Sequence, residues 1–267
     1  MLHKEPYKKI IALGVLAGFS TIFWYWIKPW VTNPLSLSDI NVSLWPLVVF
    51  LFLIALEGVV IMLLRPKWLR VFVILVVATP FFIIFGFHQL YIVAFFLMFG
   101  LQWSAISNLE SETEERIKIN IRQIMRRGLP NMITSLLVLI SFAYFLSPTT
   151  QATGQNQQLP PSIQIIIEKT IDTFSKDQTS NLSESQKESF LNQASNEVVR
   201  QFSIFLEPYF KYLPPILAFG LFLVLHGLSF IFVWFSVLIA MLLFLILKKS
   251  GVIRIGIASK EVETLEF

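Results

Sequence analysis

Residues 44–64 read LWPLVVFLFLIALEGVVIMLL, an apolar run of 21 residues with one charged side chain, Glu57. A helix of about 20 apolar residues spans the roughly 30 Å hydrocarbon core of a bilayer. This run therefore predicts a transmembrane helix. A soluble protein would have to bury such a run on every side, so the next question is how many similar runs the chain contains.

Five further apolar runs follow the same pattern, at residues 10–27, 68–87, 90–106, 130–146 and 216–247. The whole chain is 55% apolar and 14% charged, whereas soluble domains carry about 25% charged residues. These observations predict an all-α, polytopic transmembrane helix bundle of about six spans. Residues 1–146 hold the first five spans and residues 212–248 the last.

The final run has 32 residues and would reach about 48 Å as a single helix. It is either one long helix or a tight hairpin near His226-Gly227, which would give seven spans. A single crossing places 15 of the 21 basic residues on the side of the N-terminus: Lys4, Lys8, Lys9, Arg65, Lys67, Arg70, Arg116, Lys118, Arg122, Arg126, Arg127, Lys248, Lys249, Arg254 and Lys260. Basic residues are enriched on the cytoplasmic side. We therefore favour six spans in a plasma membrane, expected to be a bacterial inner membrane, with a cytoplasmic N-terminus and a cytoplasmic tail at 249–267.

Aromatic side chains cluster where the first two spans should reach the outer surface. The cluster consists of Trp24, Tyr25, Trp26, Trp30 and Trp45. Tryptophan and tyrosine are enriched at membrane–water interfaces. We expect the cluster to anchor the helices in the membrane, with a ligand cage as the less favoured alternative.

Residues 107–129 change from acidic to basic along the chain, which complements the dipole of a helix. We expect a cytoplasmic helix whose basic half contacts anionic headgroups or a partner, through Arg116, Lys118, Arg122, Arg126 and Arg127. An ordinary basic segment that sets the topology is favoured over specific lipid or partner binding. Because the basic residues lie at membrane edges, the net charge of +4 does not indicate nucleic acid binding.

Residues 147–211 form the long loop, which we expect outside the cell. Residues 147–158 are polar and predict a flexible linker. Two amphipathic patterns follow, the second with apolar residues at Leu191, Ala194, Val198, Phe202 and Phe205. They predict a small helical hairpin over 160–210. Two helices bury little area, so this hairpin should pack on the membrane or on a protein partner.

Glu57 is the strongest candidate for intramembrane chemistry. An ionised carboxylate in hydrocarbon costs about 2.5–3.5 kcal/mol on insertion scales, so it must be neutral, paired or facing the bundle interior. His226 falls at a similar predicted depth, and a Glu57–His226 pair would suit a proton or ion site. The simpler interpretation is a neutral Glu57 hydrogen-bonded to a neighbouring helix. Gly14 and Gly18 form a G-x-x-x-G pattern, for which we expect helix packing.

No enzyme signature is present: the sequence lacks a phosphate-binding loop, a G-x-S-x-G elbow and an H-E-x-x-H motif. The chain has no cysteine and three histidines that fall at different predicted depths. We therefore expect no cofactor, no metal and no enzymatic activity. The favoured function is a structural or accessory component of a membrane assembly. The alternative is a small proton- or cation-coupled transporter or channel that uses Glu57.

Overall fold

The computed structural model describes residues 6–32, 44–64, 67–115, 120–156, 167, 169–171, 173 and 184–253. In these ranges the chain is helical: α1 (Pro6–Thr32), α2 (Trp45–Leu63), α3 (Lys67–Phe85), α4 (Gln89–Glu115), α5 (Ile121–Phe145), α6 (Pro148–Asn156), α7 (Glu184–Leu206), a 3-10 helix (Glu207–Tyr212), α8 (Leu213–Gly227) and α9 (Ser229–Lys249). Seven helical segments of the described chain are long and apolar enough to cross a membrane. The predicted polytopic helix bundle is confirmed, and the protein is an integral membrane protein.

The transmembrane helices alternate in direction. α1 and α3 run the same way, because the Ser20 hydroxyl donates to the Val77 carbonyl and Lys28 donates to the Ile84 carbonyl. α4 and α5 run in opposite directions and pack along their lengths, from the Arg127–Glu112 ion pair to the Asn131–Ser104 hydrogen bond.

This alternation gives the bundle two distinct ends. One end, which we call the basic end, holds the start of α1 and the end of α9 together with Lys8, Lys9, Arg70, Arg122, Arg126, Arg127, Lys248 and Lys249. The opposite end, which we call the aromatic end, carries Tyr25, Trp26, Trp30 and Trp45. These four residues of the predicted cluster lie together at one end of α1 and α2, whereas the fifth, Trp24, is buried inside the bundle.

α2 and α5 form the centre of the bundle. A side-chain carbon added at Gly58 of α2 would lie 2.9 Å from the Met125 sulfur and 3.0 Å from a Leu129 methyl group on α5. One added at Gly128 of α5 would lie 2.4 Å from Leu109 Cγ on α4. The two glycines therefore mark close approaches between three neighbouring helices.

Pro80 lies inside α3 and interrupts its hydrogen-bond ladder, because proline has no N–H. In the turn before it, the Val77 carbonyl accepts two hydrogen bonds from α1: one from the Ser20 hydroxyl at 2.9 Å and one from Trp24 Nε1 at 3.1 Å. These two hydrogen bonds tie α3 to α1 in the turn before the proline.

The last apolar run is broken at Leu228 but does not turn back. On α8, His226 lies beside Thr134 of α5, and on α9, Trp234 lies beside Arg126 of α5. From His226 to Trp234 the last run advances eight residues, and the neighbouring position on α5 moves back by eight, from residue 134 to residue 126. α8 and α9 therefore run antiparallel to α5 along a single path. A hairpin near His226-Gly227 would have reversed that order. Together α8 and α9 extend for about 55 Å.

The structure differs from the helix predicted over 107–129. α4 continues to Glu115, and a new helix, α5, begins at Ile121 after Asn120, whose side chain accepts a hydrogen bond from the Gln123 N–H. Asparagine is a strong N-cap residue. The acidic half of the segment therefore ends α4, and the basic half begins α5. The change from acidic to basic residues falls between two antiparallel helices and not within one helix.

The structure also differs from the flexible linker predicted over 147–158. Residues 148–156 form α6, with Ser147 before Pro148. The Ser147 side chain accepts a hydrogen bond from the Thr150 N–H, and a cap residue followed by proline is the usual start of a helix. α6 packs against α8, where Gly154 lets Pro214 approach to 3.0 Å from where a side-chain carbon would stand. Of the predicted hairpin, the second helix falls within α7, and the first lies mostly outside the described residues.

Candidate functional site

Glu57 lies in the interior of the bundle, on the face of α2 that is fully closed to solvent and lipid (0% exposed). The close contact between Gly58 and α5 seals the neighbouring turn. The side-chain amide of Gln102 on α4 interacts with the Glu57 carboxyl. Within the described part of the chain, neither carboxyl oxygen of Glu57 and neither polar atom of Gln102 has a hydrogen-bond partner at bonding distance.

This pair combines two groups that can complement each other. A carboxamide offers both a donor and an acceptor, and a protonated carboxyl does the same. A small shift of either side chain would form a hydrogen bond between them and remove the cost of leaving polar groups unpaired in an apolar interior. Chemically, the arrangement can hold one proton on Glu57 or present a carboxylate to a small cation.

Sequence reasoning did not identify Gln102. The signal was present, because Gln102 interrupts the apolar run at 90–106 in the half nearer the basic end, as Glu57 does in the run at 44–64. Two polar residues at one depth on different spans are candidates for a contact. The sequence analysis instead paired Glu57 with an ionisable side chain, that of His226.

Comparisons with known proteins found no matching family model, no similar curated protein and no similar solved structure. The function must therefore be argued from the geometry of the site and its surroundings.

His226 does not meet Glu57. Its Nδ1 atom lies 3.5 Å from the Thr134 hydroxyl, and its ring stacks on Phe222 at 5.4 Å between centroids. The side chain is exposed on the bundle surface. Gly58 lies beside residues 125–129 of α5, and His226 lies beside residue 134 of the same helix. The two positions are therefore about 8–13 Å apart along the axis of α5. The two predicted site residues therefore lie at different depths, one inside the bundle and one outside.

The predicted basic contacts divide into two groups. Arg127 pairs with Glu112, and Arg70, which was not singled out, pairs with Glu110 at 2.7 Å while its Nε donates to the Leu64 carbonyl. These two arginines join α3, α4 and α5.

Arg122 and Arg126 form the second group. Both side chains are exposed, and no carboxylate of the described chain pairs with either of them. Arg116 and Lys118, the remaining predicted contacts, lie outside the described residues. The arginines available to a ligand are therefore a subset of the predicted set.

Gly14 and Gly18 do not mark a close helix contact. Both lie on the exposed face of α1, and a side-chain carbon added at either would meet nothing within 4 Å among the described residues. The G-x-x-x-G pattern faces away from the bundle, so it does not serve the internal packing we expected. Gly58 and Gly128, which are not part of such a pattern, occupy the tight contacts.

An open cleft of about 510 Å³ lies at the aromatic end, lined by Tyr25, Trp26, Lys28, Pro29, Trp30, Trp45 and Pro46. The Trp26 and Trp45 rings meet edge to face at 6.4 Å, and Lys28 donates to the Ile84 carbonyl at 3.0 Å. Such aromatic clusters suit the headgroup region of a bilayer.

The described chain contains no group of three potential metal-ligating side chains.

Proposed function

We propose that the protein is a non-enzymatic structural or accessory component of a membrane assembly. In this proposal the packed bundle is an anchor, and the segment from α7 to the 3-10 helix is the docking element outside the membrane. The observation that carries the proposal is the apolar end of α7, which the rest of the described chain leaves uncovered.

The apolar end of α7 and the 3-10 helix that follows it carry large side chains that are more than half exposed. Phe205 is 71% exposed, and the same holds to a lesser degree for Phe202, Ile204, Tyr209 and Tyr212. Large exposed apolar patches mark protein–protein or membrane interaction sites. Because they directly precede α8, they stand at the level where the chain enters the membrane. We call them the α7 aromatic patch.

The side of α7 around Glu197 and Arg200 is suited to water. Arg200 forms a bidentate ion pair with Glu197 at 2.7 and 3.0 Å, and Gln201 donates to the same carboxylate. These hydrogen bonds lower the pKa of Glu197 to about 2. Glu197 therefore stays charged throughout the physiological range, so this face remains solvated while the α7 aromatic patch turns towards a partner.

The interior of the bundle supports an anchor more than a pathway. Glu57 is closed off, and the glycine contacts on both sides of α5 leave no room for a side chain. Buried serines serve helix packing: Ser236 on α9, for example, donates to the Leu51 carbonyl of α2 at 3.3 Å. Neither of the two surface clefts includes Glu57.

The proposal includes an orientation. Placing the basic end in the cytoplasm follows the enrichment of basic residues on that side of membranes. The single path of α8 and α9 along α5 then corresponds to one crossing, which gives six crossings and cytoplasmic termini in a bacterial inner membrane. α7 is consequently exposed outside the cell or in the periplasm.

Site-specific photo-crosslinking tests this function. A crosslinking residue at Phe205 should give one discrete protein adduct in intact cells, and the same residue at Asn196, on the opposite face of α7, should give none. Replacing Phe202 and Phe205 by serine should release the captured protein while the chain stays in the membrane. If position 205 yields lipid adducts alone, the patch is a membrane anchor and the docking proposal fails.

A second function, proton or cation transport, is favoured by one specific observation: Glu57 and Gln102 are buried without a hydrogen-bond partner. Intramembrane acids often mark ion or proton paths. In this function Glu57 would bind and release a proton or cation, and Glu57→Gln would abolish the flux. Flux through the purified protein distinguishes the two functions.

A further inference from the structure

A narrow cleft opens on the surface of the basic end, between the first turns of α5 and the middle of α9. It has a volume of about 180 Å³ and is lined by Arg122, Arg126, Trp234, Val237, Leu238 and Met241. The Arg126 guanidinium lies over the Trp234 ring, 5.4 Å from its centroid. Two helices thus contribute two guanidinium groups on one side and an apolar wall on the other.

The two arginines of this cleft carry charge that the described chain does not neutralise. At the same end of the bundle, Arg70 and Arg127 are each paired with a glutamate. Arg122 and Arg126 have no such partner among the described side chains. Guanidinium groups bind phosphate through parallel N–H donors. A phosphate group in the cleft would supply the missing negative charge.

The remaining walls indicate what carries the phosphate. Pockets for soluble small molecules measure about 300–1,000 Å³, so this cleft accommodates a headgroup and little more. Above it, the exposed face of α9 continues with Phe230, one turn from Trp234 towards the middle of the bundle. An acyl chain lying along these two rings would remain in the hydrocarbon layer. A soluble phosphate compound would gain nothing from that apolar face.

We propose that Arg122, Arg126 and Trp234 form a binding site for one anionic phospholipid of the leaflet at the basic end. The two guanidinium groups hold the phosphodiester, and Trp234 supports the glycerol and the first part of an acyl chain. A lipid bound at this site would fill the cleft between α5 and α9, which lies outside the closely packed interior of the bundle. This inference is independent of the docking function of α7.

Lipid retention by the purified full-length protein tests the site. Native mass spectrometry in detergent with added phosphatidylglycerol should show one retained lipid per chain, and phosphatidylcholine with the same acyl chains should bind far more weakly. Arg122→Gln with Arg126→Gln should weaken phosphatidylglycerol binding about 10-fold or more, because it removes both positive charges that hold the phosphodiester. The matched control, Lys248→Gln with Lys249→Gln, removes two charges from the same end outside the cleft and should leave binding unchanged.

A second measurement locates the lipid. Phosphatidylglycerol with brominated acyl chains should quench part of the tryptophan fluorescence, and that part should disappear in Trp234→Phe. Equal retention of phosphatidylglycerol by the double arginine variant, or equal retention of phosphatidylcholine by the unmodified protein, would overturn the proposal. So would displacement of the lipid by millimolar inorganic phosphate, because the site would then recognise free phosphate alone.

Discussion

The carboxyl group of Glu57 on α2 faces the side-chain amide of Gln102 on α4, and within the described chain neither group has a hydrogen-bond partner at bonding distance. α2 and α4 therefore carry two polar side chains without hydrogen-bond partners in the interior of the bundle. Whether that pair is a packing feature or a conducting group is the question that separates the two proposed functions.

Glu57→Gln should preserve the fold and raise its stability by up to about 1 kcal/mol, the typical net value of a buried hydrogen bond. An amide costs less to bury than an ionisable carboxyl and can still pair with Gln102. Thermal unfolding in detergent measures the change. In a Gln102→Leu background the part of the gain that comes from the hydrogen bond to Gln102 should vanish, and a Glu57→Gln variant that fails to fold would show that the carboxyl is needed for the structure.

Gly128→Ala should destabilise the protein by about 1–3 kcal/mol, the usual cost of overpacking. The added carbon would stand 2.4 Å from Leu109 Cγ, so α4 and α5 would have to separate. Gly18→Ala is the matched control, since nothing lies within 4 Å there, and its stability should not fall. Unfolding midpoints of the two variants check the prediction, and equal midpoints would contradict the close approach.

The sequence predicted the fold class because hydrophobic length is a local property. The run at 44–64 and its five counterparts each identify a span without knowledge of neighbours. Helix ends were harder to predict, because capping residues were overlooked. Asn120 separates α4 from α5 within a segment read as one helix, and Ser147-Pro148 begins α6 within a segment read as a linker.

The candidate site was harder to predict because side-chain contacts depend on which helices are neighbours and on their rotation. Depth estimates alone brought Glu57 and His226 together, whereas the structure turns one inward and the other outward. Rotation also explains the glycines: Gly14 and Gly18 face outward, and the isolated Gly58 and Gly128 face neighbouring helices.

Ser20→Ala should lower stability by about 0.6 kcal/mol, the average value for hydrogen bonds between transmembrane helices. It removes one of the two donors to the Val77 carbonyl, which lies in the turn before Pro80. Ser141→Ala is a suitable control, because the buried Ser141 hydroxyl donates within its own helix, to Leu137. Urea or thermal unfolding should rank Ser20→Ala below Ser141→Ala, and the reverse order would argue against this link between α1 and α3.

Single cysteines test the proposed orientation directly, since the chain has none of its own. In intact cells a membrane-impermeant maleimide should label Asn196→Cys in α7 and should leave Lys249→Cys unlabelled until the membrane is opened. Both positions are exposed, so burial does not explain a difference. Labelling of Lys249→Cys from outside would contradict the single crossing by α8 and α9.

The most direct test of the central claim, that the bundle is an anchor without a conducting path, is proton and cation flux through the purified protein in liposomes. The unmodified protein and Glu57→Gln should both leave an imposed pH or cation gradient as stable as in protein-free liposomes. A flux that the unmodified protein supports and Glu57→Gln abolishes would contradict the account and establish Glu57 as a transport residue.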